Sequence, residues 1–153
     1  MKKIVLLSTA LVLLSFSTAF ARSEAVEQDR FLGTLGSRSA LVRSENDNAH
    51  VPIMNIATGK ATKEEFAEGL EQGCYYANET VKILSSLQED LQSPQAKKWV
   101  MHRADAIKCA TRANSIGNHI ASLCKQGQLS NVLEIKKMLE KQRGYLNSLS
   151  EIL

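Results

Sequence analysis

Three cysteines are the residues of this chain best suited to covalent chemistry. Cys109 and Cys124 both fall in the segment 93–125, whose apolar residues recur with helical period. In one unbroken helix these two residues lie ~22 Å apart, whereas a disulfide needs Cα atoms within about 7 Å. A hairpin folded at Gln92 instead brings Cys74 level with Cys109. The sequence therefore predicts a Cys74–Cys109 disulfide.

Two alternatives to this pairing stay open. Cys109 pairs with Cys124 if the helix is broken near Gly117, or all three thiols are free. If the Cys74–Cys109 bond forms, Cys124 is left over, either buried near the end of its helix or paired with another chain. The leftover Cys124 is therefore compatible with a homodimer that is linked through this residue.

No nucleophile and base are placed for catalysis. Cys109 and His102 share a helix face but lie ~10 Å apart, beyond hydrogen-bond reach, and His119 lies farther away along the helix. The chain also lacks a glycine-rich nucleophile turn. We therefore predict no catalytic residue. An enzyme whose site is assembled from separate segments remains an alternative, because sequence order does not exclude it.

The histidines do not indicate a metal or haem site. His102 and His119 point in different directions on one predicted helix, and His50 lies in another segment. The chain contains no Cys-x-x-Cys, no His-x-x-x-His and no Cys-x-x-Cys-His motif. We therefore predict neither a metal ligand nor a cofactor.

Tyr75 is the candidate for contact with a partner. It points away from the apolar seam of its helix, near Glu68 and Glu79, and exposed tyrosine is favoured at protein interfaces. The alternative is a tyrosine that lies over its neighbours without a partner. On the same outer face Glu64, Glu68 and Glu71 form a carboxylate strip, which is typical of a solvated face or of a site for a cation or a basic partner.

Helix start and stop signals divide the second part of the chain. Thr62 and Glu65 match a capping box, and Ser93 followed by proline starts the next helix. Gly127 is a helix stop, and Ser130 caps a third helix. These signals predict three helices joined by short turns.

Each predicted helix has one apolar seam. In the first helix the seam residues alternate in steps of four and three, and Gly73 and Ala77 let a neighbouring helix approach closely. In the third helix the seam contains one polar residue, Gln142. We expect these seams to form the core.

The predicted fold is all-α. Residues 62–153 form an up-down-up bundle of three main helices, and residues 22–61 form an N-terminal arm. In the arm we expect a short helix ended by glycines, a loop at 44–48 and an extended segment at 51–56. Whether the arm adds a short fourth helix stays open, and the alternative is an arm that is mobile until it meets a partner.

The first 21 residues match a bacterial-type signal peptide. Lys2 and Lys3 precede an apolar stretch, and Ala19-Phe20-Ala21 is a small-x-small cleavage site. We expect an exported protein, periplasmic or extracellular, without a stable membrane anchor. A chain that begins at Arg22 loses two of the 19 basic residues and carries 17 against 16 acidic ones, so nucleic acid is not an expected partner.

These observations favour a non-enzymatic protein that binds an unknown protein partner, as an inhibitor, immunity factor, chaperone or secretion accessory. This prediction rests on the absence of catalytic and cofactor motifs from a small bundle that can form a disulfide. The alternative is a carrier that holds a small apolar ligand between helices rich in glycine and alanine.

Overall fold

The computed structural model describes residues 2–126 and 131–153, with side chains from Arg22 onward except at Lys63. The described residues are helical and contain no β-strand, so the all-α prediction is confirmed. The predicted export signal lies within residues whose side chains are not described, and the predicted Gly127 stop and Ser130 cap lie outside the described residues. The described residues form the helices α1 Lys2–Ala57, α2 Lys63–Gln92, α3 Pro94–Trp99, α4 Arg103–Gln126 and α5 Val132–Ile152.

The N-terminal arm is helical, which corrects the prediction of a short helix, a loop and an extended segment. Helix α1 continues through Gly33, Gly36 and the predicted loop at 44–48, and it contains Pro52. Each glycine costs a helix about 1 kcal/mol relative to alanine. Packing of the buried seam offsets this cost, as the seam recurs in steps of four and three. Its members are Leu35, Ser39, Val42, Asn46, Ala49 and Ile53.

Four long helices, rather than three and an arm, pack around the core. Helix α1 contacts α2 and α5, and α4 contacts the same two helices from the other side. Arg38 pairs with Asp90 across α1 and α2, and Arg143 Nε donates to Asp47 Oδ1 over 2.7 Å across α5 and α1. The sequence left open a short fourth helix in the arm and did not predict its full length, because the seam of α1 includes the polar residues Ser39 and Asn46.

The segment 93–125 is two helices rather than one. Ser93 caps α3, accepting a hydrogen bond from the Ala96 amide over 3.1 Å, as its position before proline predicts. Helix α3 then ends at Val100, whose backbone is extended. Arg103, the first residue of α4, donates from Nε to the Leu91 carbonyl over 2.7 Å. The break therefore separates α3, which packs against α1 and α2, from α4.

The predicted capping box at the start of α2 is present. The Glu65 amide donates to Thr62 Oγ1 over 3.2 Å, and the Thr62 amide donates to Glu65 Oε2 over 2.8 Å. The backbone hydrogen bond from Thr62 is the main reason why the pKa of Glu65 lies below its ordinary value. This reciprocal pair fixes where α2 begins.

A buried polar pair links α1, α4 and α5 at mid-height. Asn46 Nδ2 donates to Gln142 Oε1 over 2.8 Å, and Gln142 Nε2 donates to the Ala113 carbonyl over 2.9 Å. Both side chains are fully buried. A Cβ at Gly117 would lie 2.8 Å from Gln142 Nε2, so glycine there leaves the space that this amide occupies. Hydrogen bonding between buried polar groups fixes the helix register.

The first part of α1 docks on α3 through aromatic rings. The ring centroids of Phe31 and Trp99 lie 5.7 Å apart, Lys98 Nζ lies 5.6 Å from the Trp99 ring centroid, and Glu24 pairs with Lys98. Aromatic pairs of this kind stabilise by about 0.5–1.5 kcal/mol beyond the area they bury. The side chain of Trp99 is therefore a reporter for the docking of α1.

We expect Phe31→Ala to shift the fluorescence of Trp99, the single tryptophan of the chain, to longer wavelength. Loss of the ring exposes the indole to water, and we expect a loss of about 1–2 kcal/mol in the free energy of unfolding. Emission spectra and urea titrations measure both effects. Val26→Ala is the control, because Val26 lies on the same helix and is 63% exposed. An unchanged emission maximum in Phe31→Ala would show that α1 does not dock on Trp99.

Candidate functional site

The disulfide joins Cys74 of α2 to Cys124 of α4, with Cα atoms 5.7 Å apart. The predicted Cys74–Cys109 pairing was wrong: Cys109 is the free thiol and is partly buried. Cys124 is bonded within its own chain, so the prediction of a homodimer linked through Cys124 is wrong as well.

The hairpin register explains the change of cysteine partner. The chain turns through α3 and Val100 rather than directly after Gln92, so each residue of α2 faces a later residue of α4 than the prediction assumed. Gln88 Nε2 donates to Thr111 Oγ1 over 2.9 Å, which shows the same register nearer the turn. Cys74 therefore meets the last turns of α4.

An apolar groove of about 550 Å³ lies beside this disulfide and is open to solvent. Both cysteines line it, so the bond that joins α2 to α4 is also part of the groove wall. Two of the lining residues, Glu71 and Asn78, have a carboxylate or an amide group. The other lining residues are Phe66, Ala67, Leu70 and Tyr75.

Tyr75 stands at the rim of the groove with 59% of its surface exposed. Its ring meets the ring of Tyr76 edge to face, with centroids 5.3 Å apart and planes at 75°. Tyr76 packs against the core cluster formed by α1, α2, α4 and α5. The outward direction that the sequence assigned to Tyr75 agrees with the structure, and its role as a partner contact stays a prediction.

Three carboxylates precede Tyr75 along the outer face of α2. Glu64, Glu68 and Glu71 are exposed, and none of them forms an ion pair with a residue that the structure describes. Toward the other end of α2, Lys82 Nζ lies 2.5 Å from Glu79 Oε1, and this hydrogen bond raises the pKa of Lys82. Glu71 lines the groove, whereas Glu64 and Glu68 lie beyond its lining on the outer face of α2, so the α2 border of the groove is negative.

A second cleft lies on the other side of α2, where α1 ends. It measures about 330 Å³ and is lined by residues that include Pro52, Ile56, Lys60 and Glu68. Its lining mixes charged and apolar groups without an exposed aromatic ring. We therefore treat the groove at Tyr75 as the candidate site.

The histidines stay apart in the structure. His50 Nε2 lies 3.7 Å from Glu140 Oε1, and His119 Nε2 lies 3.7 Å from Glu134 Oε1. His102 is exposed in the turn before α4. Among the described residues, no three His, Cys, Asp or Glu side chains gather in a way that could hold a metal ion.

Within the part of the chain whose side chains are described, no helix is both long and apolar enough to cross a membrane.

Sequence reasoning found Cys74 and Tyr75 but missed the groove that contains them. It paired Cys74 with Cys109 and left Cys124 without a partner in its own chain. The break between α3 and α4 determines which cysteines meet, and one sequence signal indicates it. Asp105 lies in the first turn of α4, where an acidic residue favours a helix start.

The chain matches no protein-family model, and no curated protein or solved structure is significantly similar to it.

Proposed function

We propose that this protein is an exported, non-enzymatic helical bundle that binds another protein through the groove at Tyr75. The observation that carries the proposal is an exposed tyrosine at the rim of an apolar groove. Tyrosine joins a large apolar ring to a hydroxyl group, and it is enriched where proteins meet. Inhibitor, immunity factor, chaperone and secretion accessory are the roles that fit such a surface.

The disulfide supports this proposal by making the groove rigid. It ties α2 to α4 at Cys74 and Cys124, which both line the groove. A surface that is already ordered loses less conformational entropy when a partner binds. The groove is therefore ready to receive a partner without rearrangement of its two helices.

Export rests on the signal-like pattern of residues 1–21, and a disulfide is typical of oxidising compartments. The contacts of α1 described above begin at Glu24, which pairs with Lys98 of α3. Cleavage after Ala21 leaves those contacts in place. We therefore propose that the bundle of the processed chain acts in the periplasm or outside the cell.

A second candidate function is a carrier for a small apolar ligand. The groove volume of about 550 Å³ falls within the range of about 300–1,000 Å³ that ligand pockets occupy. The groove is open to solvent, whereas ligand pockets bury most of the surface of their ligand. Protein binding is therefore the better supported of the two.

Site-specific photo-crosslinking tests the proposal. A photoreactive phenylalanine analogue replaces Tyr75 in one variant and Val26, at the other end of the bundle, in a second; their exposures are 59% and 63%. Both variants are expressed in the cell that produces the protein. We expect a discrete protein adduct from position 75 that excess unlabelled wild-type protein competes away, and no such adduct from position 26.

The mass of the adduct separates the candidate functions. An increase of a few hundred daltons supports a small-ligand carrier, and an increase of protein size supports a binding module. The same adducts from positions 75 and 26, or none from position 75, would contradict the proposed use of the groove.

A further inference from the structure

We infer that the partner inserts a basic amphipathic helix into the groove at Tyr75, an inference that rests on the proposed function. From Phe66 to Asn78 the groove follows α2 for ~18 Å, which is the length of about three helical turns. An apolar helix face that fills a groove is a recurrent mode of peptide recognition. The apolar lining at Phe66, Leu70 and the disulfide matches the apolar face of such a helix.

The acidic row beside the groove, of which Glu71 is a lining residue, favours a basic helix. Glu64, Glu68, Glu71 and Tyr75 are spaced four, three and four residues apart, so they lie along one exposed line of α2. The dipole of α2 favours an acid in its first turn and accounts for Glu64. It does not account for Glu68 and Glu71, because the dipole effect is lost beyond the first turn.

Among the side chains that the structure describes, which leave out Lys63, none forms an ion pair with Glu64, Glu68 or Glu71, whereas Glu79 is paired with Lys82. Lysine or arginine side chains along one edge of a bound helix would meet this row. On α4, Lys125 is exposed and follows Cys124, which lines the groove, so the basic edge of the partner helix would face α2.

Selection from a displayed peptide library tests this inference. The peptides are about 14 residues long, near the length at which isolated helices become stable, and carry apolar residues at helical spacing. Their flanking positions are randomised among lysine, glutamate and glutamine. The oxidised wild-type protein selects binders, and the Tyr75→Ala protein removes those that do not need the groove. We expect the remaining peptides to be enriched in lysine along one edge.

The carboxylate row is tested with a matched pair of triple variants. We expect Glu64→Gln, Glu68→Gln and Glu71→Gln together to weaken binding of a selected lysine-rich peptide about tenfold, with the loss shrinking at high salt. The control combines Glu27→Gln, Glu89→Gln and Glu151→Gln. It removes the same charge from exposed sites elsewhere, and we expect less than a twofold change.

The outcomes separate this inference from the proposed function. Tyr75-dependent peptides that prefer glutamate, or that show no charge preference, would overturn the basic partner and leave groove binding supported. A selection that yields no Tyr75-dependent peptide would overturn helix docking in the groove. In that case a protein adduct from a photoprobe at position 75 still decides the proposed function, because it assumes no helix. Equal weakening by both triple variants would also overturn the carboxylate row as the source of specificity.

Discussion

Replacing both Cys74 and Cys124 with alanine should lower the free energy of unfolding by about 4 kcal/mol. The bond spans 50 residues of sequence, and opening a loop of this length restores conformational entropy to the unfolded chain. Urea titration of the oxidised protein and of the double variant measures the difference. Because the bond also forms the groove wall, we expect the double variant to bind the partner more weakly than the folded wild-type protein does.

Cys109→Ala is the matched control for this experiment. Cys109 is free and partly buried against the core, so its replacement should cost about 1 kcal/mol and leave the disulfide intact. The oxidised wild-type protein should show one reactive thiol in denaturant, and Cys109→Ala should show none. A peptide map that links Cys109 to either other cysteine would contradict this register of α2 and α4.

Replacing Gly73 with leucine should destabilise the protein by about 1–3 kcal/mol. A Cβ at this position would lie 2.8 Å from Ile53 Cγ1, 2.9 Å from Ile53 Cδ1 and 3.3 Å from the Ala49 carbonyl oxygen. Ile53 is fully buried and has little room to move. The larger side chain therefore forces α1 and α2 apart, and the urea midpoint measures the cost.

Gly144→Leu is the matched control, because Gly144 is helical and exposed and has no atom within 4 Å of an added Cβ. Leucine favours helix over glycine, so we expect this variant to gain about 0.5–1 kcal/mol. Destabilisation at both positions would point to helix distortion rather than overpacking. Equal stability of Gly73→Leu and wild type would show that α1 does not pack closely on α2 at this point.

Local sequence signals predicted most helix boundaries of the second half of the chain. The Thr62–Glu65 capping box and the Ser93–Pro94 start need only residues within one helical turn, and the structure shows both. The close approach predicted at Gly73 is also present, although the neighbour is α1. The outward direction of Tyr75 follows from helical geometry alone.

The helix of the N-terminal arm could not be predicted from local signals, because it depends on residues far away in sequence. Asn46 is a polar residue in a stretch rich in loop-forming residues, and its burial depends on hydrogen bonds from Nδ2 to Gln142 Oε1 and to the Leu139 carbonyl of α5. Gln142 in turn needs the space left by Gly117 on a third helix. A local pattern contains neither partner, so the sequence by itself predicted a loop.

Which residues form the groove depends on the path of the chain between α2 and α4. Periodicity placed Cys74 and Cys124 on their helices, and it also placed Tyr75 on the outer face of α2. Which cysteines meet depends on Val100, whose extended backbone ends α3 and shifts the register of the hairpin. The residues at one helix end change the stability of the helix by about 1 kcal/mol, which is too little to predict the position of this break from the sequence. The sequence determined the helices and the direction of their side chains, and tertiary packing determined which of these side chains share a site.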